Sequence, residues 1–129
     1  MKIEHIAVWT EDIDRLTDFY VKYFDAQVES RYRNPSKGFK SCFLIFSSGA
    51  RLEVMHTTSE TLTSVSPGTQ RMGLTHLAIA VGSEQAVDQM TYLLQSDGFM
   101  VLEGPRRTGD GYYETVVLDP DGNRIEITV

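Results

Sequence analysis

Residues 2–10, KIEHIAVWT, and residues 73–81, GLTHLAIAV, are two versions of one pattern, a short apolar run with a histidine set into it. In a strand, side chains alternate between faces, so residues i and i+2 lie together. His5 therefore shares a face with Ile3 and Ala7, opposite Ile6 and Val8. His76 shares one with Ala78 and Ala80, opposite Leu77, Ile79 and Val81. The bulkier set is expected to lie under a helix, which leaves each histidine on the other face beside alanines that give it room.

The segments that follow repeat as well. TEDIDRLTDFYVKYFDA (10–26) places Ile13, Leu16, Tyr20, Tyr23 and Phe24 at helical intervals, with Thr10 or Asp12 able to cap the start. SEQAVDQMTYLLQSDG (83–98) offers Ser83 as N-cap, a stripe of Val87, Met90 and Leu94, and Gly98 where a helix would stop in a left-handed turn. Three strand-like runs then follow in each half: 27–33, 39–46 and 50–55, and 99–104, 113–118 and 123–129. Glycine-containing turns at Gly49 and Gly122 join the last two. Both halves read βαβββ. His5 and His76 are 71 residues apart, while Gly49 and Gly122, and Glu53 and Glu126, are each 73 apart. The register therefore slips by only two residues.

A chain of 129 residues is expected to be one α+β domain, with a first module at 1–57, a linker rich in Ser, Thr, Gly and Pro at 58–73, and a second module at 74–129. The net charge of −6 and pI near 4.9 disfavour nucleic acid and anionic membrane surfaces and point to a small-molecule partner. No apolar run is long enough to span a bilayer, and the N-terminus lacks the order of a secretory signal, so the cytoplasm is the expected location. Cys42, the one cysteine, lies in SCFLIF and reads as a buried strand residue.

The repeat selects four polar residues. Glu53 lies between Leu52 and Val54, and Glu126 between Ile125 and Ile127, so each carboxylate points away from its bulky neighbours. Any half-solvated sheet shows such alternation, and a single strand histidine is ordinary. Here, however, equivalent positions in two halves all carry metal-ligand types. His5, Glu53, His76 and Glu126 suit one divalent ion of borderline character, nickel or zinc foremost, with cobalt, iron and manganese also fitting. Two carboxylates cancel the ion's charge, and open positions remain for water or substrate.

Through HIAVWTEDIDRLTDFY, THLAIAV and LDPDGNRIEI, the chain resembles the vicinal oxygen chelate superfamily, also called the glyoxalase / bleomycin resistance / dioxygenase superfamily. The resemblance covers essentially the whole chain. It implies tandem βαβββ modules forming an open, curled mixed sheet around a metal cavity, often in a homodimer. The four residues match the His, Glu, His, Glu set of the glyoxalase I (lactoylglutathione lyase) branch. That match implies a lyase or isomerase acting on a small α-hydroxycarbonyl or a thiol hemithioacetal. Glu126 would shuttle the proton, Glu53 would be chiefly a ligand and possible second base, and the metal would hold an enediolate as a Lewis acid. Trp9 stands where that branch commonly has arginine, and Thr57 where it commonly has asparagine, so glutathione recognition does not carry over. The alternatives within the superfamily are an epimerase, a thiol transferase and an extradiol dioxygenase. A non-catalytic drug-binding resistance protein is the alternative outside catalysis.

Further candidates are the basic stretch Arg31, Arg33, Lys37 and Lys40, read as solvated before it is read as an anion site, and Arg106 and Arg107, which stay ambiguous. His56 reads as a surface residue just past its strand. Trp9, Tyr112 and Tyr113 read as packing aromatics that could also wall a pocket, and Gly109 and Gly111 as hinges of a loop over its mouth.

Overall fold

A computed structural model describes residues 1–64, 66, 69–70 and 72–129, and residues 65, 67, 68 and 71 of the expected linker lie outside the described residues. Two units emerge, Met1–Thr63 and Ser64–Val129. The first runs β1 (His5–Trp9), α1 (Ile13–Phe24), β2 (Gln27–Asn34), a 3-10 turn (Pro35–Lys37), β3 (Phe39–Ile45) and β4 (Arg51–Thr57). The second runs β5 (His76–Ala80), α2 (Glu84–Ser96), β6 (Val101–Arg107), β7 (Tyr113–Leu118) and β8 (Arg124–Thr128). Each unit holds one four-stranded mixed sheet, ordered β1-β4-β3-β2 in the first and β5-β8-β7-β6 in the second. In both, the first and last strands pair in parallel and the remaining neighbours are antiparallel. The fold is α+β, as the repeat implies, and it is built as two separate sheets.

Each helix covers one face of its sheet. Asp12 caps α1 by accepting the Arg15 amide, and Ser83 caps α2 through the Ala86 amide. Leu16 and Tyr20 of α1 are fully buried, as are Cys42, Leu44 and Val54 on the sheet face beneath. In the second unit Val87 and Leu94 meet a face carrying Val117, Ile125 and Ile127, all without exposure. The expected stripe of α2 differs at one place. Thr91 rather than Met90 is buried, because its hydroxyl donates to the Val87 carbonyl at 2.7 Å and so enters the core with its polar group satisfied.

The DPDG turn before β8 is organised by Asp119, which is buried and accepts hydrogen bonds from the amides of Asp121 and Asn123 and the side chain of Asn123. Gly122, at φ +83°, supplies the left-handed residue that this turn needs. The turn sets the register in which β8 re-enters the sheet.

Replacing Leu16 with Ala leaves a void between α1 and its sheet. Urea unfolding should show a loss of about 2–5 kcal/mol with an unchanged m-value.

Candidate metal centre

The parallel pairs set the geometry. Ala7 lies opposite Glu53 in the β1–β4 register, and Ala78 lies opposite Glu126 in the β5–β8 register. A methyl group across the ladder lets each carboxylate lean toward the histidine two residues back, on the face away from the helix. His5 Nε2 and Glu53 Oε2 stand 3.7 Å apart, and His76 Nε2 and Glu126 Oε2 stand 3.6 Å apart. The carboxylates are the more buried partners, with side chains 15% and 19% exposed against 40% and 43% for the imidazoles.

The other ring nitrogens are tied back. His5 Nδ1 bonds the carboxylate of Glu4, and His76 Nδ1 bonds the Thr75 hydroxyl at 3.1 Å. Because ionised Glu4 can only accept, it fixes the proton of neutral His5 on Nδ1 and leaves the Nε2 lone pair facing Glu53. The His5 hydrogen bond, and after it Arg51, hold the Glu4 carboxyl below its ordinary range against the desolvation that opposes them. Arg51 grips both Glu4 and Glu29, the latter at 2.6 Å, and lies 4.3 Å over the Phe43 ring. Glu4 was not a sequence candidate; its signal is its place beside a strand histidine.

Two ligands each about 2.1 Å from one tetrahedral ion stand roughly 3.4 Å apart, so each His–Glu pair has the spacing and donor types of half a coordination shell. Among the described residues, no group of three or more His, Cys, Asp or Glu side chains is gathered that could hold a metal ion. Each unit thus presents one His–Glu pair.

A model of one superfamily matches residues 2–127. The chain belongs to the Glyoxalase/Bleomycin resistance protein/Dioxygenase superfamily. Members of this superfamily commonly bind a divalent metal. The uncharacterized protein YqjT of Bacillus subtilis (strain 168) is 42% identical over 60 residues, a match spanning 44% of this chain and about half (47%) of that protein. The fold is shared with a glyoxylase/bleomycin resistance protein/dioxygenase domain from Frankia sp. EAN1pec, with a TM-score of 0.81 at 16% identity over 100% of this chain and 97% of that one. It is also shared with the trypanothione-dependent glyoxalase I of Leishmania major, with a TM-score of 0.76 at 21% identity over 99% and 86%.

Around this superfamily scaffold, the remaining candidates separate by face. Trp9, Phe39 and Tyr32 lie on the His5 side of the first sheet, with Trp9 and Tyr32 edge-on or tilted to Phe39 at 6.2 and 6.1 Å. Thr57 is buried there and bonds the Ser59 hydroxyl. Arg31, Arg33, Lys40 and His56 lie on the helix side instead. His56 is part of β4, not beyond it, and is half-buried with Nδ1 3.0 Å from the Thr10 carbonyl, because β4 runs two residues further than its apolar alternation. Arg33, Lys40 and His56 share a cavity of about 340 Å³ with Glu11, Asp12 and Asp14, and Asp14 engages Arg31 at 2.8 Å.

In the second unit, Arg106 and Arg107 belong to β6, where the alternation of FMVLEG does not reach. Arg107 engages Glu84 on α2, and Tyr113 donates to Asp88 of the same helix at 2.8 Å, so both are tied to the helix side. Glu114, like Glu4, was not a sequence candidate. It is buried on the Glu126 side of β7, and burial first, then the Glu126 charge, raises its carboxyl above the ordinary range, with Arg106 at 3.3 Å opposing the rise.

An acid whose pKa is raised by folding binds more protons in the native state, so its contribution to stability is full below the unfolded value and lost as pH rises through the folded one. Glu114→Gln removes that loss. The metal-free variant should melt above wild type at pH 7, with the difference closing below about pH 4, as read by thermal scans across pH.

Proposed function

We propose that the protein is a metal-dependent lyase or isomerase of glyoxalase I type, with His5, Glu53, His76 and Glu126 as the ligand set and one divalent ion, nickel or zinc foremost, per complete set. The observation that carries the reading is the matched pair of half-sets. In each, an imidazole has its Nδ1 tied back and its Nε2 turned to a carboxylate at 3.6–3.7 Å. Random solvation of a sheet face does not produce that arrangement twice at repeat-related positions.

When bound, the ion supplies Lewis-acid stabilisation for negative charge growing on substrate oxygens. The residues do the rest. Glu126, largely withdrawn from water, takes the proton next to the carbonyl and returns it to the neighbouring carbon. Glu53 serves mainly as a ligand. Glu4 keeps the His5 imidazole in the tautomer that offers Nε2, and the Thr75 hydroxyl holds the orientation of the His76 ring.

The aromatic side chains Trp9, Tyr32 and Phe39 share the His5 face, and Trp9 occupies the position where the glyoxalase I branch commonly carries an arginine for the thiol's carboxylate. This supports a substrate whose tail is apolar and uncharged. As in related enzymes, two copies of the chain are expected to associate.

Freshly reconstituted protein should hold about one equivalent of nickel or cobalt per site, and less than about 0.1 equivalent would favour a drug-binding protein instead. Glu126→Gln should lower turnover by about 100-fold to 10,000-fold, with solvent deuterium exchange into substrate lost and the melting transition kept. Trp9 is the chain's one tryptophan, so its emission reports binding directly. Hemithioacetals of small uncharged thiols should quench it and be preferred over the glutathione adduct. Trp9→Arg should reverse that preference in competition assays.

A further inference from the structure

We propose that Glu114 is a positioning residue for Glu126, an inference that rests on the metal-site reading above. Glu114 lies opposite Thr128 in the β7–β8 register, two residues along from Val116, which lies opposite Glu126. That diagonal is within reach of two long side chains on one face, the face on which both carboxyls are largely withdrawn from water. On its other side Glu114 meets Arg106, its β6 partner in the register, at 3.3 Å, and Arg106 is itself held by Glu103 at 2.8 Å. Glu114 is only 6% exposed, so little room is left for it to rotate away. The result is a braced row, Glu103–Arg106–Glu114, running from the surface to the position diagonal to Glu126.

The first unit has no counterpart. There Ser41, opposite Met55, occupies the position equivalent to Glu114, and its single-carbon side chain is too short to brace Glu53. The repeat is broken where only one of the two carboxylates needs a fixed aim. Glu53 needs to bind, whereas Glu126 must also present an oxygen to a substrate carbon.

The test uses the full chain and cobalt(II), with affinity read by calorimetry and coordination by the visible absorption of the bound ion. Glu114→Ala should weaken cobalt binding about 10-fold to 100-fold and alter the absorption bands. Glu114→Gln should restore most of the affinity, since its amide donates to Glu126 and its carbonyl accepts from Arg106. Arg106→Ala, which frees Glu114 without removing it, should give a smaller loss. Wild-type affinity and spectrum in a folded Glu114→Ala protein would overturn the inference while leaving the metal site standing. If Glu114→Ala does not fold, unchanged cobalt binding by Arg106→Ala overturns it. A wild-type protein that takes up no cobalt removes both this inference and the reading beneath it.

Discussion

The parallel pairing of the first and last strands in each half is the constraint on which the candidate site depends. A parallel pair cannot be closed by a hairpin, so a helix and two further strands must be threaded between its members. His5 and Glu53, and His76 and Glu126, are 48 and 50 residues apart in the chain. The parallel ladder nevertheless brings their polar atoms within 4 Å. The helix contributes indirectly. By burying Leu52 and Val54, or Ile125 and Ile127, on its own side, it leaves the intervening glutamate no face but the other.

The two halves share a backbone plan and differ in chemistry. In the first, the His5 side carries aromatic rings, and the histidine is held by a carboxylate that an arginine also grips. In the second, the histidine is held by a neutral hydroxyl, and the charged groups gather around the glutamate instead. The duplicated scaffold thus surrounds its two His–Glu pairs with unlike groups.

Several residues were legible because they obey the periodicities of local structure. The βαβββ order, the Ser83 cap of α2, the buried Cys42 and the positions of His5, Glu53, His76 and Glu126 on the helix-free faces follow from alternation, helical spacing and the repeat, while the cap of α1 was narrowed to Thr10 or Asp12 and is Asp12. The strand ends were not legible. β4 runs through His56 and β6 through Arg107, past the last alternating apolar residue, because ladder pairing with a neighbour continues where side-chain pattern has stopped. Glu114 escaped for a related reason. YETVVL marks it only as the polar member of an alternating strand, and nothing local tells that its face is buried.

What the sequence by itself determined is which residue types occupy which face of which element, since those faces are set by bond geometry and by the penalty for burying an unpaired polar group. What only the tertiary structure decided is which of those residues meet: the diagonal from histidine to glutamate, the grip of Glu4 and Thr75 on the second ring nitrogen, and the row from Glu103 through Arg106 to Glu114. Those contacts depend on the register between strands distant in the chain, and register is a property of pairs. One strand read alone contains no information about the partner against which it will be aligned.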